Sequence, residues 1–282
     1  MKFKREKLLV TVSGGRTSAY KAIMFKKHYE NAYDMTFMFA NTGAEHEETL
    51  IFVNRVDVEF GLNLIWVEAK VYHGVEKSSG YKVVDFNTAS RNGEPFEEVV
   101  KKYGLPNQDF LHCTRELKTN PISAYMREYQ IKRRTLGIRI DEPKRLKKLQ
   151  PLVLYPLVDL FPMTKEMIAY FWKKQKFDLK ISEELGNCVH CHKKSNKKLW
   201  TIAKNMPSAF DIPKRLEDRY SYIKSESQNI PRKMYRGQCT TVDIFNAIEK
   251  PFEEFVEGEP QKNLFSYSDN DECAEECGTV IA

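Results

Sequence analysis

Leu8-Leu9-Val10-Thr11-Val12-Ser13-Gly14-Gly15-Arg16-Thr17-Ser18 is the stretch from which the rest of the chain is read. Residues 8–12 form an unbroken apolar and β-branched run, the pattern of a strand buried on both faces in a parallel sheet. Two glycines end the run, and residues 18–24 open a helix. A glycine turn between a strand end and a helix start turns backbone N–H groups outward, beside the positive end of the helix dipole. Ser13, Thr17 and Ser18 add hydroxyl donors, and Arg16 adds a guanidinium suited to a bidentate grip. The segment reads as an anion site with phosphate as its natural occupant. It matches neither the Gly-x-x-x-x-Gly-Lys nor the Gly-x-Gly-x-x-Gly pattern, so its weight rests on its place after a first buried strand.

Working outward, residues 35–40 read as a second strand ending at Asn41-Thr42-Gly43. Residues 47–60 have helical spacing, with Leu50, Val53 and Val56 on one face and Gly61 as the stop. Residues 62–67 read as a third strand. Strand and helix alternate through short links, which predicts an α/β, doubly wound, mostly parallel sheet. Residues 71–112 are poorer in pattern and are read as a long excursion with one helix at 94–103. Further on, 121–129 reads as helix and 133–138 as strand. Residues 152–157 lead to a helix at 164–174 with Thr164 as N-cap. The expected organisation is an α/β nucleotide-binding unit over 1–185, a metal-linked helical region over 186–257, and a flexible cysteine-containing tail over 258–282.

The 282 residues suffice for a sizeable core. No apolar run is long enough for a bilayer span, and the basic start followed by a short apolar stretch does not fit a signal peptide. A cytoplasmic protein without membrane contact is expected. The net charge of +6 fits an anionic partner, a nucleotide or a nucleic acid, and equally a solubilising surface. Lys193, Lys194, Lys197 and Lys198 could touch nucleic acid, though a solvated helix face is the preferred reading. Glu45, Glu47 and Glu48 lie at a helix start, where the dipole favours them; magnesium is the alternative role. Six cysteines without export signals point to metal or redox chemistry and away from a disulfide framework. Cys188-Val189-His190-Cys191-His192 has the spacing of zinc or iron–sulfur ligands.

Several segments, in order, resemble one family. Ser13-Gly14-Gly15-Arg16-Thr17-Ser18 resembles the pyrophosphate loop of the adenine-nucleotide α-hydrolase superfamily, and the match is nearest to the phosphoadenosine-phosphosulfate reductase family. Asn41-Thr42-Gly43 is similar to its Asp-Thr-Gly, and Glu48-Thr49 to its Pro-Glu-Thr. Cys113 to Pro121, with Lys118, is similar to its Cys-x4-Lys-x2-Pro segment. Gly137-Ile138-Arg139, with Asp141, Glu142 and Arg145, resembles its Gly-x-Arg segment, and Pro156-Leu157-Val158-Asp159 its Pro-Leu-x-Asp. The resemblance covers about residues 8–191.

The resemblance implies an adenine nucleotide at the loop, either ATP or adenylyl sulfate with or without a 3′-phosphate. Asn41, Thr42 and Gly43 would line the adenosine, and Gly137, Arg139 and Arg145 would help to hold the anion. It implies a [4Fe-4S] cluster, with zinc as the alternative. The family's upstream Cys-Cys is His112-Cys113 here, so Cys113, Cys188 and Cys191 remain as ligands, and the fourth would be Cys239, His112 or an exogenous group. Lys118 would offset negative charge beside the cluster. Glu276-Cys277-Gly278 resembles the family's terminal Glu-Cys-Gly, which makes Cys277 the expected nucleophile, with Cys273 as its resolving partner. Lys118 and Arg139 would act with it in catalysis. The implied activity is a reductase of the phosphosulfate type with a thioredoxin-like donor. The alternatives are an ATP-dependent sulfurtransferase acting on a nucleic acid or other acceptor, and a non-enzymatic nucleotide-binding protein with a structural metal. The oligomeric state stays open, a homodimer being compatible.

Overall fold

The chain's structure, a computed structural model, describes residues 5–146, 150–225 and 229–258. Its sheet is built from β1 (Glu6–Val12), β2 (Tyr33–Asn41), β3 (Ile65–Lys70), β4 (Gly80–Val84), β5 (Arg133–Thr135) and β6 (Val153–Leu154). The order across the sheet is β4-β3-β2-β1-β5-β6. All pairings are parallel except β3 with β4.

Period-two alternation splits β1 and β2 between two cores. Leu8, Val10, Val12, Phe37 and Phe39 face one apolar cluster with α1 (Arg16–Tyr29), α2 (Glu47–Phe60) and α8 (Lys165–Lys173). Leu9, Met38 and Ala40 face the other, with Tyr125 of α5 (Asn120–Glu128). Helices therefore cover both faces, and the doubly wound α/β fold read from the sequence is the one formed. The chain leaves β1 through α1 toward β2 on one side and later returns to place β5 on the other. The crevice at the ends of β1 and β5 is thus the topological switch point, where open α/β sheets bind ligands.

A third cluster joins α3 (Glu94–Tyr103) and the turn Arg115–Thr119 to α9 (Asn196–Asn205), α10 (Asp211–Tyr220) and α11 (Thr241–Ile248). Phe96, Val99 and Leu117 meet Leu199, Phe210 and Ile244 there. The intervening short helices are α4 (His112–Thr114), α6 (Pro143–Leu146) and α7 (Pro156–Asp159).

Boundaries depart from the sequence reading for identifiable reasons. The third strand starts three residues late, because Leu62 N donates to Asp57 O at 3.1 Å and Leu64 N to Asp57 Oδ1 at 3.0 Å, folding the start of the apolar run into the turn after α2. Strand β4 lies in the stretch read as irregular; it is an edge strand whose residues are half-buried or exposed, so it carries no continuous apolar signal. The helix expected from 121 is preceded by a π-helical turn at Arg115–Thr119 that runs on from α4. Among the described residues, no helix is long and apolar enough to cross a membrane.

Candidate functional site

The loop 13–15 occupies the β1 end of the switch point. Gly14 has φ +95°, and a Cβ there would lie 2.5 Å from Thr49 Cγ2 in α2, so glycine is required on both counts. Gly15 is the N-cap of α1 in extended conformation, and no side chain among the described residues caps the helix. The first-turn N–H groups of such a helix have no intrahelical acceptor and suit an anion. Ser18 Oγ organises the turn: it accepts from Ser13 N at 2.9 Å and contacts Gly15 O at 3.0 Å.

Arg16 is placed differently from the phosphate grip expected of it. Its Nε and Nη2 make a bidentate pair with Asp178, at 2.7 and 3.1 Å, and Nη2 also donates to Leu179 O at 2.7 Å. The buried Trp172 donates its indole N–H to Arg16 O at 3.0 Å. Both halves of Arg16 therefore clamp the start of α1 to α8 and the segment after it. Arg139 does reach the loop: its Nη1 lies 3.2 Å from Thr17 Oγ1, and its Nε donates to Asp141 at 2.9 Å. Arg145 donates to Glu142 Oε1 at 2.6 Å, and Gly137 lies in the irregular segment after β5. Each of these three guanidinium groups thus already carries a carboxylate partner.

Sequence reasoning missed Lys21. It is fully buried, with Nζ 2.7 Å from Thr11 O and 3.4 Å from Thr135 O. A lysine from α1 thereby bridges β1 and β5 beneath the crevice. The available signal was its position four residues after Thr17, on the same face of the helix.

Asn41 is buried and committed to scaffolding. Its amide donates to Glu68 Oε1 at 2.7 Å and Ser90 O at 2.8 Å. Gly43, at φ +77°, has no room for a Cβ, which would meet Ser90 Oγ at 2.7 Å. Thr42 faces the other way: its hydroxyl bonds Glu45 Oε2 at 2.7 Å and lies 3.3 Å from Cys188 Sγ. Val189 N donates to Ala44 O at 2.9 Å, and Glu45 and Cys188 pair as an antiparallel bridge. Of the glutamates at this helix start, Glu45 precedes α2 and pairs with Lys118 at 3.5 Å, while Glu47 pairs with Arg91 at 2.8 Å.

A pocket opens behind this loop. Thr42, Cys113, Lys118, Cys188 and Cys191 all line it, together with His190 and His192. The structure brings three of the four expected metal ligands and the expected lysine to one place. Cys239 is not on that lining; it closes a hairpin with Tyr235, and its Sγ lies 3.7 Å from Gly237 O. His112 also lies off the lining, with Nε2 3.1 Å from Gly104 O. Cys273 and Cys277 lie outside the described residues.

Burial, then the Glu45 carboxylate, pushes the Cys188 thiol up, and Lys118 opposes the shift. A cationic centre in the pocket would reverse that balance, since ligation deprotonates a thiol. The donor set fits such a centre: three thiols on one lining, with the Nε2 atoms of His190 and His192 buried and, among the described residues, without hydrogen-bond partners. Among the described residues, no three His, Cys, Asp or Glu side chains gather closely enough for a single ion. A cubane cluster takes one ligand per iron and needs a wider ring. Three of the four lysines are engaged within the chain: Lys194, before α9, donates to Glu184 O and Gly186 O at 2.6 and 2.7 Å, and on α9 Lys197 pairs with Glu253 and Lys198 with Glu183.

The fold and these residues define a doubly wound α/β protein with a glycine loop at its switch point and a three-cysteine pocket beside it. No family model matches the chain. It is 31% identical over 277 residues to the uncharacterized nin region protein ORF290 of Escherichia phage lambda, across 95% of this chain and 93% of that protein. The chain belongs to that protein's family. It is also 27% identical over 124 residues to the uncharacterized protein MJ0066 of Methanocaldococcus jannaschii, a match spanning 44% of this chain and 20% of that protein. Among solved structures it is similar to phosphoadenylyl-sulfate (PAPS) reductase from Candida auris in its phosphate complex, with TM-score 0.39 and 16% identity over 63% of this chain and 76% of that one. It is similar as well to the U34-tRNA thiolase NcsA from Methanococcus maripaludis with its [4Fe-4S] cluster, with TM-score 0.34 and 13% identity over 89% of this chain and 84% of that one.

Proposed function

We propose that this chain is an enzyme of sulfur chemistry that binds an adenine nucleotide at Ser13–Ser18 and handles sulfur in the pocket of Cys113, Cys188 and Cys191. The observation that carries this reading is the segment 41–45, which belongs to both places. It leaves the end of β2 beside the glycine loop, and its Thr42 hydroxyl touches Cys188 Sγ at 3.3 Å. In this reading the uncapped start of α1 and the hydroxyls of Ser13 and Thr17 hold the nucleotide's anionic group, with Arg139 steadying Thr17. Cys113, Cys188 and Cys191 hold an iron–sulfur cluster, which supplies a cationic centre for thiolate and sulfur ligands. Lys118 offsets negative charge in the pocket.

The reaction is that of a (phospho)adenylyl-sulfate reductase, with Cys277 as nucleophile. A second reading, an ATP-dependent sulfurtransferase, is favoured by one observation: three cysteines line the pocket where a closed cluster needs four ligands. The anaerobically prepared protein should release sulfite from adenylyl sulfate or its 3′-phosphorylated form in the presence of a thioredoxin-like donor. Pyrophosphate release from ATP with no sulfite supports the sulfurtransferase. Binding of nucleotide with no turnover of either substrate refutes both readings.

A further inference from the structure

His190 is 2% exposed, in the Cys-x-x-Cys segment, and its Nε2 has no hydrogen-bond partner among the described residues. An unpartnered ring nitrogen inside a protein is costly to keep unless a ligand meets it. The ring is not loose. It hydrogen-bonds the Ala209 backbone and lies 5.7 Å from the Phe96 ring, which also lines the pocket. A backbone carbonyl only accepts, so the bond to Ala209 uses a ring N–H, and that N–H is at Nδ1 because Nε2 is unpartnered. The Nε2 lone pair is then bare. A ring N–H held by a carbonyl, leaving the opposite nitrogen as a donor to metal, is the usual arrangement of a metal-bound histidine.

We propose that His190 Nε2 is the fourth ligand of the iron–sulfur cluster held by Cys113, Cys188 and Cys191. The inference rests on the cysteine-pocket reading above and completes it. His112 is unsuited, because its Nε2 already serves Gly104 O and its side chain is off the lining. Cys239 is off the lining too. His192 shares the burial and the bare Nε2; the Ala209 bond and the Phe96 contact single out His190. A neutral imidazole in place of a fourth thiolate makes the ligand set one unit less negative, next to Lys118. It also closes the cluster, leaving no iron open to exogenous sulfide. A His190 ligand therefore favours the reductase over the sulfurtransferase.

The test is pulsed EPR on the anaerobically reconstituted, reduced protein, with iron measured on the same sample. The wild-type protein should bind about four irons per chain and show a nitrogen coupling that changes when histidine is ¹⁵N-labelled. His190→Cys should keep the iron, lose the coupling and lower the midpoint potential; His190→Ala should lose the coupling. Full iron with no histidine coupling overturns the proposal. So does a coupling that survives in His190→Cys and disappears in His192→Ala. A protein that takes up no iron, or only zinc, overturns the cluster reading and this inference with it, and the iron assay separates that result from the others.

Discussion

Replacing Gly14 by alanine tests the loop most directly, because two costs arise there from different atoms. The backbone is at φ +95°, and the new Cβ would lie 2.5 Å from Thr49 Cγ2. Holding a non-glycine residue at a positive φ costs about 1–3 kcal/mol. Crowding a packed site costs about 1–3 kcal/mol more, and Thr49, at 2% exposure, has no solvent to retreat into. Gly14→Ala should therefore destabilise the chain by about 2–6 kcal/mol, read from urea unfolding followed by tryptophan fluorescence. Thr49→Ser removes the obstructing methyl group while keeping the hydroxyl, at about 1 kcal/mol. In the double mutant the collision is gone but the φ cost stays, so the pair should be less destabilised than the sum of the singles by the collision cost, about 1–3 kcal/mol. Gly14→Ala within about 0.5 kcal/mol of wild type, or strict additivity, would refute the account of the loop.

Other consequences are as concrete. Arg16→Ala and Asp178→Ala should each cost about 1 kcal/mol, since the pair is partly solvated, and their double mutant should cost no more than either; a nucleotide affinity lost in Arg16→Ala alone would return Arg16 to the role of phosphate ligand. Burial would raise the Glu183 carboxyl, but Lys165 and Lys198 outweigh it and hold it at about 2. Its stabilisation, about 1–2 kcal/mol after solvent screening, is complete above the ordinary carboxylate value and is lost as pH falls through about 2. Glu183→Gln should flatten acid unfolding in that window, and an unchanged profile would contradict the pairing. Cys239→Ser should leave the iron content of the reconstituted protein unchanged, whereas Cys188→Ser should lower it.

Where local chemistry was self-sufficient, the chain could be read without coordinates. Helix α2 runs over the expected residues because Gly61 takes φ 58° at its C-cap, and Thr164 caps α8 through Met167 N as its side chain suggested. The loop glycines and the three pocket cysteines were equally legible, since turns and ligand spacings are short-range facts. What escaped depends on partners distant in sequence. The spacing from Thr17 puts Lys21 on the loop's face of the helix, but nothing local shows that β1 and β5 both offer it a carbonyl. Arg16 looked free for an anion because Asp178 lies far along the chain. The fourth ligand was expected at Cys239, His112 or an exogenous group, and the buried, bare Nε2 of His190 becomes evident only in the fold.

The segment 41–45 has a consequence for energetics as well as geometry. Thr42 and Ala44 are tied to Cys188 and Val189, and Asn41 and Gly43 are wedged against Ser90. A ligand that stiffens the cysteine segment has already met part of the ordering cost of the strand end beside the glycine loop. If the cysteine pocket and the glycine loop are occupied as proposed, the two occupancies are thermodynamically linked, and the factor by which one ligand tightens the other is the same in both directions.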